Sequence, residues 1–484
     1  MRKIILLTLV AVLAAEGLAF AQAGTGSLRG YVRDESGAIL PGVSVTATSP
    51  AIMAPQVAVS DGTGLYRIPN LPPGTYVLQA ELSGFATQRR EGVVLRAGAN
   101  FSVDFTMTIS GVEETVTVTA ETPMLEIASP SNVLNVDGEF QREMPIQARR
   151  NWSDFLELTP GVNARPFDDG SGRMVYFGHA TEHFAHVIQL EGMSAAGYDD
   201  AQVTYVGMGA DMVEDISVKT GGVTADEPLG TGIVMNVVTK SGGNDFSGSA
   251  AVALQDFDWN GDNSVELAGT AGTPTTGEVK QFDASFGGPI ARDNAWFFVS
   301  YRRADLAAGI SRTGFDVERL NLYSGIPLGG RGTVPTFEEF PNTSKSHQPY
   351  VKITSQLGSD HSLSAYYQRD TLDNTSDREF NWAPYLTVKT GGNLVGAKLT
   401  SVFGTNTTGQ FTFGYNNKAG ESLTESQADV GGLGMEIEIH EAFTRSGGEL
   451  QGNGRQVAGG VPQTGTDPSS VLLIRADITN YLEG

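Results

Sequence analysis

The hydrophobic pattern of this chain changes character twice. Between residues 24 and 110, short β-rich runs (Leu28 to Arg33, Val43 to Thr48, Tyr66 to Ile68, Tyr76 to Leu82) alternate with turn clusters (Asp34 to Gly42, Asp61-Gly62-Thr63-Gly64, Pro72-Pro73-Gly74). Strands at this spacing predict a small β-sandwich. Residues 111 to 130 read differently. Val112-Glu113-Glu114-Thr115-Val116-Thr117-Val118-Thr119-Ala120 alternates β-branched and polar positions, then breaks at Pro123 and Pro130. With no hairpin partner nearby, the run is expected to be an unpaired strand, ready to add to another protein's sheet through its backbone.

From Phe246 the period settles at two. Phe246, Gly248, Ala250, Val252 and Leu254 alternate with Ser247, Ser249, Ala251, Ala253 and Gln255, an apolar face against a smaller, more polar one. Similar runs are expected near 280–287, 295–302, 350–357, 362–369, 393–403 and 409–416, with an eighth near 471–479. In the run at 409–416, Phe411, Phe413 and Tyr415 oppose Gln410, Thr412, Gly414 and Asn416. The connections carry more weight than any one strand. Long stretches (256–279, 303–349, 370–392, 417–470) alternate with tight turns (288–294, 358–361, 404–408). Long loops on one side and short turns on the other mark an antiparallel outer-membrane β-barrel. A soluble sandwich has no reason to sort its loops this way.

The start of the chain fits that destination. Arg2 and Lys3 form a positive segment, Ile4 to Ala15 an apolar run too short to span a bilayer, and Ala19-Phe20-Ala21 a small-x-small cleavage site. A signal peptide over 1–21 is therefore expected. The 484 residues include 60 Gly, 21 Pro and no Cys, which favours short strands and turns and excludes disulfides and Cys-ligated metals. A formal charge of -23 argues against nucleic acid as a partner, because a polyanion is bound by basic stripes.

The motifs then point to a family. Gly30-Tyr31-Val32-Arg33-Asp34, Leu40-Pro41-Gly42-Val43, Gly64-Leu65-Tyr66 and Leu71-Pro72-Pro73-Gly74-Thr75-Tyr76 resemble the carboxypeptidase regulatory-like domain, a transthyretin-like fold without catalytic residues. Glu114, Thr115, Val116, Thr117, Val118, Thr119 and Ala120 resemble the TonB box, the segment that pairs with the periplasmic energy transducer TonB. Three stretches resemble the plug that fills such barrels: Arg149-Arg150-Asn151-Trp152 leading to Leu158-Thr159-Pro160-Gly161-Val162, Val187 to Gly192, and Val213 to Gly222 followed by Gly232 to Gly243. Two departures stand out. The Asp-Gly common in the middle stretch is Glu191-Gly192 here, and the Tyr-Gly common before the last strand is replaced by Glu227-Pro228-Leu229-Gly230.

The whole resembles TonB-dependent outer-membrane transporters, and the Oar-like type more than the compact siderophore receptors. The expected division is signal peptide 1–21, sandwich 24–110, TonB box and linker 111–130, plug 131–245 and barrel strands 246–484. The resemblance implies a mostly β protein of the Gram-negative outer membrane, its sandwich in the periplasm, in contact with outer-membrane lipid. Its implied partners are the TonB-ExbB-ExbD complex, a surface lipoprotein and an extracellular ligand of unread identity, with glycan, peptide and metal chelate all open. It implies neither enzyme activity nor a cofactor. An Oar-like surface or adhesion role without import, and a secreted module built on the sandwich, are the rival readings. Barrels that hold a plug have roughly 22 strands. The chain's ending at Tyr481-Leu482-Glu483-Gly484, with no terminal aromatic strand, therefore leads to the expectation of an incomplete barrel.

Two clusters carry possible chemistry. His179, His183 and His186 would share one face if helical, and imidazoles suit transition metals; in a plug loop and strand they would be scattered, solvated histidines. No metal site is assigned to them, and ligand contact is the sharper alternative. Asp256-Phe257-Asp258-Trp259-Asn260-Gly261-Asp262 begins like a calcium loop, but the twelfth position is Leu267 and Glu266 comes one place early. An acidic, solvated loop is the plainer reading. Phosphate-cradling, zinc-protease and nucleophile-elbow motifs are missing from the sequence.

Overall fold

The computed structural model describes residues 26–52, 55–97, 99–109, 115–118, 125–126, 132–143, 152–166, 174–178, 186–195, 207–221, 232–256, 277–308, 342–358, 360–376, 386–403, 407–424, 437–446, 449–458 and 465–480. The expected signal peptide, Glu227 to Gly230 and the calcium-like loop beyond Asp256 lie outside them.

The first unit is built from β1 (Gly26–Asp34), β2 (Ser44–Thr48), β3 (Gln56–Val59), β4 (Leu65–Leu71), β5 (Gly74–Glu81), β6 (Thr87–Leu95), β7 (Asn100–Ser102) and β8 (Phe105–Met107). Two linker strands follow, β9 (Thr115–Val118) and β10 (Leu125–Glu126). They form two sheets, β10-β7-β1-β4 with β8 also on β1, and β3-β2-β5-β6-β9. Period-two alternation puts Leu28 and Val32 of β1, Val45 of β2 and Tyr76, Leu78 and Ala80 of β5 into one core with Tyr66 and Phe105. The expected turns are Asx turns: Asp34 Oδ1 accepts from the N–H groups of Ser36 and Ala38, and Asp61 Oδ1 from those of Thr63 and Leu65. At Gly30 a Cβ would lie 1.9 Å from the Val103 carbonyl oxygen, so the close approach of β1 to the connection between β7 and β8 requires glycine there.

The second unit comprises β11 (Asn132–Asp137), helix α1 (Gly138–Glu143), β12 (Val162–Pro166), β13 (Met174–Gly178), β14 (Val187–Leu190), β15 (Met193–Ser194), β16 (Val213–Gly221) and β17 (Val234–Thr239). Its sheet runs β11-β16-β17-β14-β15, and β12 pairs with β13 alone. All six residues of β17 are buried, which accounts for a Val-Met-Asn-Val-Val-Thr string without alternation: both faces are covered.

The third unit is an antiparallel sheet of β18 (Ser247–Asp256), β19 (Gly277–Ala291), β20 (Ala295–Ala308), β21 (Asn342–Leu357), β22 (His361–Ser376), β23 (Leu386–Phe403) and β24 (Thr407–Thr424). Beyond them come a separate hairpin of β25 (Ile437–Ser446) and β26 (Glu449–Ala458), then β27 (Gly465–Asn480), which pairs with β24 as the eighth strand of the sheet. The partial barrel and its expected eighth strand are thus present. The hairpin inside 417–470 was not foreseen, and most strands reach further toward the long loops than the alternation indicated. Those extensions are polar, as in Asn342-Thr343-Ser344-Lys345-Ser346, so they pair by backbone alone and leave no apolar stripe to read.

Burial in this sheet is inverted. Phe282, Val299, Ile353, Tyr367, Val395, Phe411 and Phe413 are exposed on one face. Asp283, Arg302, Lys352, Gln368, Asp370, Thr412 and Lys418 are buried on the other. An apolar outer band over a polar interior is the arrangement of a membrane barrel. An arginine at position 413 should therefore destabilise the sheet by about 2–4 kcal/mol at mid-membrane depth, whereas Phe413→Leu should be nearly neutral. Folding titrations in lipid vesicles, followed by heat-modifiable gel mobility, check this.

Candidate functional site: the plug against the barrel wall

The plug sheet and the barrel wall share one core. Trp152, Phe155, Ile188, Leu190, Met193 and Val237 from the plug cluster with Phe298, Tyr350, Tyr366 and Leu394 from β20 to β23. Two wall glycines make room for this contact. A Cβ at Gly414 would lie 2.2 Å from the Met193 sulfur, and one at Gly396 would lie 2.3 Å from the Tyr366 ring.

The tightest polar contact sits at the tip of the β14–β15 hairpin. Leu190 pairs with Met193, so Glu191 and Gly192 are the two turn residues, with φ of 54° and 83°. Positive φ at both positions is the two-residue turn that suits the twist of paired strands. Glutamate does here what the expected aspartate would do for the turn, and its extra methylene carries the carboxylate further into the wall. Glu191 Oε1 accepts from the Thr239 N–H at 2.9 Å, the Thr239 hydroxyl at 2.5 Å and Lys352 Nζ at 2.6 Å. Lys352 Nζ also lies 3.1 Å from the Thr239 carbonyl oxygen and 3.1 Å from Thr239 Oγ1, so its three donors are all engaged. Tyr350 closes the ring through Thr239 Oγ1 at 2.6 Å, and the Tyr366 hydroxyl donates to the Leu190 carbonyl at 3.1 Å.

All of this is buried. Burial would push the Glu191 carboxyl up, but the charges of Lys352 and Lys398 and the hydrogen bonds from Lys352 and Thr239 overcome it and hold it at about 2. A depressed carboxylate stabilises the fold above its ordinary range, so this contact is intact at neutral pH and is lost only as pH falls from 4.5 through about 2.

A second set of contacts fastens the plug's 207–221 segment and β15. Asp370 accepts from the Gly207 N–H at 3.2 Å and pairs with Lys418 at 2.9 Å; Gln368 donates to the Gly207 carbonyl, and the Asn416 amide to the Ser194 carbonyl at 3.1 Å. Sequence reasoning missed all of these wall residues. The available signal was a charged residue at inward parity inside an apolar strand, such as Lys352 in Val351-Lys352-Ile353.

The sandwich is clipped to the plug's other side. Arg96 meets Asp137 at 2.6 Å and Asp215 at 3.8 Å, and the Ala97 N–H donates to Asp215 Oδ2 at 2.6 Å. Among the described residues, none donates a hydrogen bond to Asp215 Oδ1. Burial pushes the Asp215 carboxyl up to about 6, with the Ala97 N–H and Arg96 opposing and the nearby Asp137 and Glu214 charges adding to the rise.

The expected site residues fall as follows. His186 is buried: the Ile233 N–H donates to its Nδ1 at 3.0 Å, so Nε2 carries the hydrogen and donates to the Tyr176 carbonyl at 2.8 Å. That corrects the solvated-loop reading for this residue. His186 joins β13 to the entry of β17 and presents neither ring nitrogen to a ligand. His179 and His183 lie outside the described residues. Thr115, Val116, Thr117 and Val118 form β9, which pairs in parallel with β6, so the expectation of an unpaired strand is also corrected. The β6 edge was open on one side and lay close enough in the chain to take it. Glu114, Thr119 and Ala120 lie outside the described residues.

Comparison with known proteins agrees with these units. Residues 27–108 match the carboxypeptidase regulatory-like domain and residues 238–325 an outer membrane beta barrel domain. Over 371 residues the chain is 29% identical to the TonB-dependent transporter Oar of Myxococcus xanthus, covering 72% of this chain and 33% of that protein. The chain thus spans about a third of the curated relative it matches. The crystal structure of the outer membrane transporter YddB from Escherichia coli superposes with a TM-score of 0.51 at 12% identity, covering 73% of this chain and 46% of that one, a likeness of fold.

Two outcomes follow from the geometry. Lys352→Met, which strands the buried Glu191 charge, should cost about 3–5 kcal/mol, and adding Glu191→Gln should recover much of it; a urea double-mutant cycle reads both. Because the Asp215 carboxyl is raised, the folded state binds its proton more tightly than the unfolded chain, so this group adds stability as pH falls from 6 to 3.8. Urea midpoints across that range should rise less steeply in Asp215→Asn.

Proposed function

We propose that this homologue of the TonB-dependent transporter Oar works as an energised importer of the outer membrane. One observation carries the reading: a plug sheet is fastened by a buried ion pair, Glu191 to Lys352, and by hydrogen bonds to Asp370 and Asn416, to the inner face of a sheet whose outer face is apolar. A wall built this way separates two compartments, and the plug obstructs it until its fastening is loosened.

In this reading the sandwich lies in the periplasm, and Glu114, Thr115, Val116, Thr117, Val118, Thr119 and Ala120 are the segment that TonB takes into its own sheet. Strand addition works through backbone hydrogen bonds, so the force passes along the main chain through β10 into β11, the edge strand of the plug sheet. The ligand binds from outside, where the long connections 257–276, 309–341 and 377–385 join the strands. Its chemical class is left open between glycan, peptide and metal chelate. Of the histidine cluster, His179 and His183 remain candidates for contact with it. The name of the matched relative favours import over the adhesion reading.

Val116→Pro or Val118→Pro removes an N–H from the coupling strand. Either should weaken binding of the purified periplasmic domain of TonB by about tenfold or more, the worth of one to two hydrogen bonds plus the misfit of the ring. The protein should still fractionate with the outer membrane. Binding unchanged in both variants argues against TonB coupling through this segment.

A further inference from the structure

Both described segments of the linker between sandwich and plug, 115–118 and 125–126, are paired to the sandwich. β9 lies parallel to β6, with Thr87, Gln88, Arg89 and Arg90 opposite Thr115, Val116, Thr117 and Val118. It completes the order β3-β2-β5-β6-β9 as an edge strand. Downstream, β10 pairs antiparallel with β7 of the other sheet, Leu125 opposite Ser102 and Glu126 opposite Phe101. The linker thus crosses from one sheet of the sandwich to the other. The sandwich is itself held to the plug at Arg96 and Ala97, so these pairings are made by a body that stays beside the plug.

We propose that the β6 edge is a docking site for the chain's own coupling strand, occupied in competition with TonB, so that the sandwich latches the coupling segment. The proposal rests on residues 114–120 being that segment. A strand in a parallel ladder turns the N–H and C=O groups of alternate residues to its two sides. With β6 on one side, half of the backbone groups of residues 115–118 are withdrawn from any partner that recognises the strand by its main chain. A partner that takes up the whole segment has to lift it off β6. The pairing is also short. A few net hydrogen bonds hold a strand by about tenfold to a hundredfold, enough to keep it docked at rest and little enough for a tight partner to overcome.

The natural chain has no cysteine, so a disulfide can report the docking without background. Arg89 and Thr117 are Cα partners, and the Arg89 side chain is 42% exposed, so Arg89→Cys with Thr117→Cys joins two registered positions, one of them accessible. As a control, Arg90→Cys with Thr115→Cys is three residues out of register, roughly 10 Å apart and beyond the span a disulfide bridges. Full-length protein in detergent is oxidised and titrated with the purified periplasmic domain of TonB, before and after reduction. The in-register pair should cross-link readily and the control pair should not. The oxidised latch should bind TonB at least tenfold more weakly than the reduced one. In the unsubstituted protein, amide exchange at 115–118 should be slowed tenfold or more.

Equal cross-linking of both pairs, or free exchange at 115–118, overturns the docking. Equal TonB affinity of the oxidised and reduced forms overturns the competition, since the outer edge of β9 would then suffice. In-register cross-linking with no TonB binding in any form, natural chain included, overturns the coupling reading and the competition with it, and leaves the intramolecular docking established.

Discussion

A sheet placed in hydrocarbon must satisfy its backbone internally and turn its apolar side chains outward, which leaves its polar side chains facing in. The other features of this structure answer that inversion. Lys352, Asp370 and Lys418 are buried because their strands put them on the inner face, and buried charges without partners are costly. Asp370 and Lys418 pair with each other, and the plug supplies the other partners. Glu191 and the backbone of Thr239 and Gly207 complete the shells of wall residues, while Leu190, Met193 and Trp152 fill the space between them. Plug and wall are therefore two halves of one interior, apolar where aromatic rings meet and ionic where strands bring charges inward.

Much of this was legible in the sequence, for reasons that also set the limit. The alternation at Phe411, Phe413 and Tyr415 belongs to the outward apolar face, so it marks only that stretch of the strand and stops where the sequence of β24 turns polar at Asn416-Asn417-Lys418. The sorting of long and short connections survived intact because both kinds of loop answer to the same boundary. Pairings between distant segments were not legible. Nothing local ties residue 191 to residue 352, and glutamate in place of aspartate looked like a flaw in a turn until its partner was known. His186 was grouped with His179 and His183 by proximity in sequence, while its actual neighbours are the backbones of Tyr176 and Ile233. The strand at 115–118 has no hairpin partner in the sequence; its partner is a parallel strand, reached by passing β7 and β8.

The junction of sandwich and plug rests on different physics from the plug and wall. Glu191 is surrounded by donors and stays charged, whereas Asp215 is buried with one oxygen that no described residue donates to and an arginine at 3.8 Å. One contact is satisfied at neutral pH and the other is strained by it. The two sides of the plug are thus held with unequal firmness, the wall side more strongly than the sandwich side.

The order of strands in the plug sheet gives that inequality a direction. β11 is at one edge, and the Glu191 turn between β14 and β15 is at the other. A load applied to the linker meets β11 first, and β16 and β17 stand between it and the ion pair. The β11 margin is tied to the sandwich through Asp137 and the opposite margin to the wall through Glu191, so the sheet hangs between two anchors. Such a load is carried in series across the backbone ladder from β11 to β15, and the sheet works as a tension member between sandwich and wall.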